Sequence, residues 1–153
     1  MTRALLCSLW LFTGCQFSTD MPAQAAGPTG HVEGVWVNGI EFRGGLVVAD
    51  AYFHNGRDAV VLTTWEDPTC EDLGQVADGH KLEVPVSRGS AIEKARLFAC
   101  RALPSGRLCN GAGDADVTVA IERMGEHEGD AVTGRITSDE GSVSFDVERC
   151  GPA

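Results

Sequence analysis

Val117-Thr118-Val119-Ala120-Ile121-Glu122-Arg123, Ala131-Val132-Thr133-Gly134-Arg135-Ile136-Thr137 and Ser142-Val143-Ser144-Phe145-Asp146-Val147-Glu148 decide the fold class. Each run alternates apolar with polar residues. A period of two places Val117, Val119 and Ile121, then Val132, Gly134 and Ile136, then Val143, Phe145 and Val147 on one face of a strand. Three such runs joined by short turns predict an antiparallel meander with one dry and one wet face. Working toward the N-terminus, Val35 and Val37 precede Asn38-Gly39, and Leu46 to His54 precedes Asn55-Gly56. Both dipeptides suit type I′ hairpin turns, whose two central residues need positive φ. Leu82, Val84 and Val86 alternate within Lys81–Ser87. Ser90 to Glu93 has the form of a capping box, but the residues after it lack a helical stripe and are assigned to a strand ending near Arg101. Asp67 to Gly74 offers a cap, a proline and a closing glycine, enough for one helical turn.

Turn signals every 8 to 12 residues or so predict an all-β antiparallel sandwich of about eight short strands, with a small barrel as the alternative. Trp36 and Trp65 fall within predicted strands and are expected to anchor the core.

The chain has 153 residues, enough for one domain. Met1 to Gly14 carries Arg3, an apolar run from Ala4 to Phe12 and then small residues, the order of a secretory signal. The apolar run is shorter than the roughly 20 residues that a spanning helix needs. Residues 15–30 are polar and rich in Ala, Gly and Pro, and are expected to be a flexible tether. Residues 31–153 form the expected β domain. Ala23-Gln24-Ala25 offers an alternative cleavage site, but its cleavage region would be long and would contain Asp20.

The chain has six cysteines. Setting aside Cys7 and Cys15 leaves Cys70, Cys100, Cys109 and Cys150, an even set without Cys-x-x-Cys, which in an exported chain reads as two disulfides. Three connectivities are open. Leu103-Pro104-Ser105-Gly106 would turn the chain so that Cys100 faces Cys109, and elimination then pairs Cys70 with Cys150.

From Cys15 onward there are 11 basic and 22 acidic residues, a formal charge of −11. That balance disfavours nucleic acid and anionic headgroups, so membrane attachment is assigned to acyl chains. No nucleophile elbow, zinc-protease helix or phosphate loop is present, and the four histidines stand apart. His54 and His80 adjoin predicted turns. A non-enzymatic binding or structural domain is therefore expected, a hydrolase-type enzyme with a dispersed site being the alternative.

One constellation could hold a cation. If Cys70 meets Cys150, the meander brings Glu126, His127, Glu128 and Asp130 to the end where Glu66, Asp67, Glu71 and Asp72 arrive. Oxygen donors of this kind suit calcium, although repelling, solvated loop charge is the simpler account. Asp114, Asp116, Asp139 and Glu140 form a smaller acidic group at the other end.

Leu11-Phe12-Thr13-Gly14-Cys15 resembles a bacterial lipobox, which implies that Cys15 is diacylated and becomes the first residue. Gln16, where an aspartate often signals inner-membrane retention, favours the outer membrane, facing the periplasm or the cell surface. Val32-x-Gly34, Asn38-Gly39-x-x-Phe42, the run VLTTWEDPTCEDL over residues 61–73 and SVSFDVERC over 142–150 resemble a loose group of small bacterial lipoproteins of unknown function. The resemblance implies export, this architecture and the Cys70–Cys150 pairing, and carries over no catalytic residue. The partner implied is an envelope protein, glycan or small ligand. Gly34-Val35-Trp36 with Arg149 weakly resembles the calycins, lipocalin-like ligand barrels, which implies that Trp36 and Arg149 pack together at one barrel end. The early Asn38-Gly39 turn departs from that pattern.

Overall fold

The computed structural model describes residues 30–51, 54–66, 68–70, 78–86, 89–103 and 106–151. The signal and tether assignments, and the helical turn over 67–74 apart from residues 68–70, lie outside them. Eight strands follow one another: β1 (His31–Val37), β2 (Ile40–Ala51), β3 (Arg57–Thr63), β4 (Gly79–Pro85), β5 (Ser90–Leu103), β6 (Gly106–Arg123), β7 (Ala131–Ser138) and β8 (Gly141–Cys150). Asn38 and Gly39 have φ of 52° and 72°, and Asn55 and Gly56 have 56° and 73°, the left-handed values expected of both turns. Ser90 to Glu93 is strand, so its capping-box pattern starts no helix.

The fold is all-β, but the strands form one closed barrel in sequence order in place of two packed sheets. Neighbours in sequence pair antiparallel, and β8 returns to β1 through His31↔Asp146 and Val32↔Phe145. Beyond that point β8 changes partner and runs parallel to β2, with Leu46↔Glu148 and Val48↔Cys150. Sandwich and barrel share the same alternation in every strand. The difference lies in these last pairings, made between residues about a hundred positions apart, which no local pattern encodes.

The dry face of each strand turns inward. Val35, Val37, Phe42, Val47, Val60, Leu62, Leu82, Val84, Val119, Ile136, Phe145 and Val147 are among the buried residues of one apolar core. An eight-stranded barrel is just wide enough to be filled by side chains. Gly134 makes room for one of them, because a methyl group there would lie 2.8 Å from Phe145 Cζ and collide with the Ala120 carbonyl.

Two disulfides are present, Cys70–Cys150 and Cys100–Cys109, with sequence separations of 80 and 9. Cys100 and Cys109 face one another across the β5–β6 hairpin. Cys70 belongs to a strap that leaves β3 and crosses the outside of the barrel. A side chain at Gly44 would collide with Trp65 O and Pro68 Cδ of this strap, so the glycine permits its close approach. The bridge to Cys150 pins the strap beside the β2–β8 junction.

Both tryptophan assignments change. Trp36 points outward and is 47% exposed, because the inward places of β1 belong to Val35 and Val37. Trp65 is half-buried on the outer surface, packed against the cluster of Phe98 and Cys100. Trp36 also lies at the end opposite Arg149: its carbonyl accepts a hydrogen bond from Ser138 Oγ at 2.6 Å, where β7 finishes. The packing of Trp36 on Arg149 implied by the calycin resemblance is therefore absent.

Candidate functional site

The alternation that buries Phe145 and Val147 carries on to Arg149, which has no solvent exposure. On β3 the same alternation turns Asp58 inward between outward-facing Arg57 and Ala59. The two meet inside the barrel end, Arg149 Nη1 lying 2.9 Å from Asp58 Oδ2 and 3.6 Å from Met124 Sδ. A buried guanidinium needs such an acceptor because desolvating an unpaired charge is costly.

Outside this pair lies a cleft of about 310 Å³ bounded by Arg57, Asp58, Val86, Met124, Glu126 and Arg149. Arg57 is held across its mouth, bonded to Glu93 Oε1 at 2.8 Å and to the Val86 carbonyl at 3.4 Å. The β6–β7 loop forms another wall. Asp130 accepts hydrogen bonds from the backbone N–H groups of Glu126 at 3.0 Å and His127 at 2.9 Å. Those two donors, His127 first, hold its carboxyl below the usual carboxylate range. Gly129 N–H to the Arg149 carbonyl and Arg149 N–H to the Asp130 carbonyl clip the loop to β8. Among the described lining residues, Arg57 and the buried Arg149 stand against Asp58 and Glu126, which makes the cleft polar and balanced in formal charge. Its exposed polar groups can orient a small polar or zwitterionic group by hydrogen bonds.

A second charged group sits on the outer face of the sheet. Leu82 and Val84 point inward, so Lys81 and Glu83 point outward, yet both are buried. Lys81 Nζ bonds Glu83 Oε1 and lies 4.7 Å from the Phe98 ring centroid. The other carboxylate oxygen of Glu83 faces His54 Nε2 at 3.7 Å. Burial lowers the His54 pKa, with Glu83 opposing that shift and Arg96 and Arg57 adding to it. By sequence His54 is expected only to adjoin the Asn55-Gly56 turn. The signal passed over is Lys-x-Glu on the wet face of a strand whose other face is fully apolar.

The expected carboxylate cluster does not assemble among the described residues. Glu126, Glu128 and Asp130 share the β6–β7 loop at the Arg149 end. Glu66 instead pairs with Arg43 at 3.3 Å, in a cleft of about 390 Å³ bounded also by Glu33, Gly34 and Glu41. Asp67, Glu71, Asp72 and the lipobox Cys15 lie outside the described residues. No group of three His, Cys, Asp or Glu among the described residues is arranged to hold a metal ion. Asp58, which completes the Arg149 pair, follows an Asn-Gly turn, and the sequence reading gave it no role.

No protein-family model, curated protein or solved structure matches the chain. The class that the structure defines is a small, disulfide-bonded, closed β-barrel.

Proposed function

We propose that this chain is a lipid-anchored cell-envelope protein, held through Cys15 at the outer membrane, whose barrel is a non-enzymatic binding module. The observation that carries this reading is the Cys70–Cys150 bridge, which joins residues 80 positions apart and locks the strap to the last strand. Such a bond persists in an oxidising compartment and is rare in the cytosol. Together with the lipobox pattern it favours export followed by tethering. The apolar interior is occupied by the protein's own side chains, which favours recognition at the ends or the outer face over a ligand carried inside. The polar cleft beside Arg149 offers a place for a small polar group of an envelope protein, glycan or free ligand. Binding is preferred to catalysis because the buried His54–Glu83 approach borders none of the clefts described above.

The deciding measurement is the intact mass of the protein from the membrane fraction of a lipidating bacterial host, taken with and without reduction and thiol alkylation. The reading expects a mass that begins at Cys15 with acyl chains, and four cysteines that alkylate only after reduction. An unlipidated mass that begins at Ala26, or four freely reactive thiols, would overturn it.

A further inference from the structure

The β5–β6 hairpin outgrows the barrel. β4 stops flanking β5 at Gly79↔Cys100, and β7 meets β6 only from Thr118 onward. Past Cys100, among the described residues, β5 and β6 pair only with each other, from Arg101↔Leu108 to Leu103↔Gly106. The Cys100–Cys109 bridge crosses the base of this free end.

Its composition is unlike the rest of the chain. The protein carries a formal −10, whereas residues 99–110 contain Arg101, Arg107 and no acidic residue. Arg101 and Leu108 are directly opposite, and Leu103 is two positions further along, so period two places all three on one face. Leu103 is 42% and Leu108 49% exposed, beside a groove of about 280 Å³ bounded by Ala99, Arg101, Leu108 and Asn110. Among the described residues one acidic group is bonded to the arm, Asp78, whose carboxylate accepts the Ala102 N–H at 2.8 Å. The arm reaches about 10 Å beyond Cys100, at roughly 3.3 Å per residue. That exceeds the Debye length of about 8 Å at physiological ionic strength, so Leu103 stands clear of most of the barrel's field, while Arg101, one residue beyond Cys100, remains within it.

We propose that this arm docks on an anionic phospholipid surface, with Leu103 and Leu108 entering the boundary between headgroups and acyl chains and Arg101 meeting lipid phosphate. Exposed aliphatic side chains beside arginine on a stiff projection are what an interfacial segment presents, the charged head staying at the surface while the leucines leave water. Arg101 opposes locally the repulsion expected from the overall charge, which is why the binding should be sensitive to salt. The proposal depends on the envelope reading only for the presence of such a membrane.

The test uses the full chain carrying Cys15→Ser, so that no acyl chain contributes, in co-sedimentation with vesicles of phosphatidylglycerol and phosphatidylethanolamine or of phosphatidylcholine alone. Every variant keeps residues 1–29, so the apolar run near the N-terminus contributes equally to all. The parent is expected to prefer the anionic vesicles and to be released by high salt. Leu103→Ser with Leu108→Ser should lower its partition at least about tenfold, and Arg101→Gln about fivefold. Ile92→Ser, at a position 77% exposed on the barrel, should change nothing. Leu103→Trp supplies a second readout that needs no loss of binding, a blue-shifted emission on the anionic vesicles only. Equal partition of parent and arm variants, no preference for anionic vesicles, or an unshifted Leu103→Trp emission would overturn the proposal. Lipidation of Cys15 is read separately by mass, so either idea can fail without the other.

Discussion

Among the described residues Arg149 is the largest side chain without solvent contact, and its ion pair with Asp58 sets an asymmetry between two substitutions. Asp58 is partly exposed, at 27% for its side chain. Asp58→Ala leaves the guanidinium buried without its carboxylate and should cost about 3 kcal/mol. Arg149→Met removes the buried charge and lets Asp58 regain water, so a smaller loss of about 1 kcal/mol is expected. Urea unfolding of the two variants checks the order, and Arg149→Met proving the worse would show that the guanidinium is held by something stronger than this pair.

His54 gives a pH signature. Its pKa is pushed below the ordinary value near 6.5 by burial. As pH falls through that value the unfolded chain takes up a proton that the folded protein resists, so stability is full above about pH 6.5 and declines toward the lowered folded pKa. Melting temperature should therefore fall between pH 7.5 and 5.5, and His54→Gln should flatten that part of the decline. An equal decline in both proteins would assign it to other groups.

At the scale of strands and turns, much was legible beforehand. The Asn38-Gly39 and Asn55-Gly56 turns declare themselves because few residues tolerate positive φ, and the β6–β8 meander follows from alternation alone. Trp36 was misjudged for a reason of the same kind. Alternation fixes which residues share a face, but β1 holds Val35 and Val37 on one face and Trp36 on the other, and the heavier residue lost to the more numerous pair. Of the carboxylate site expected from topology, Glu66 lies beside Arg43, while Asp67, Glu71 and Asp72 lie outside the described residues. The hairpin bridge closes a short loop, worth about 2.7 kcal/mol by loop-closure arithmetic. Replacing Cys100 and Cys109 by serine should lower stability by no more than this and leave the barrel closed.

At the scale of the whole molecule, closure was the illegible part, since the β1–β8 and β2–β8 pairings join the two ends of the domain. The Cys70–Cys150 bridge acts there. It closes a loop about eight times longer, for which the same arithmetic gives about 4.5 kcal/mol. Cys70→Ser with Cys150→Ser should therefore lower the unfolding midpoint more than loss of the hairpin bridge does. Calorimetry of the two double variants makes the comparison, and the reverse order would mean that the strap adds little to the closed barrel.

Arg149 and Cys150 are neighbours that face opposite ways, one gripping Asp58 within the barrel and the other gripping Cys70 outside it. A slip of β8 by a single residue would turn the thiol into the apolar interior and the guanidinium out to water, and both attachments would fail together. The last strand is thereby proofread from both of its faces: a misthreaded barrel cannot acquire the covalent lock, and a locked barrel has already seated its ion pair.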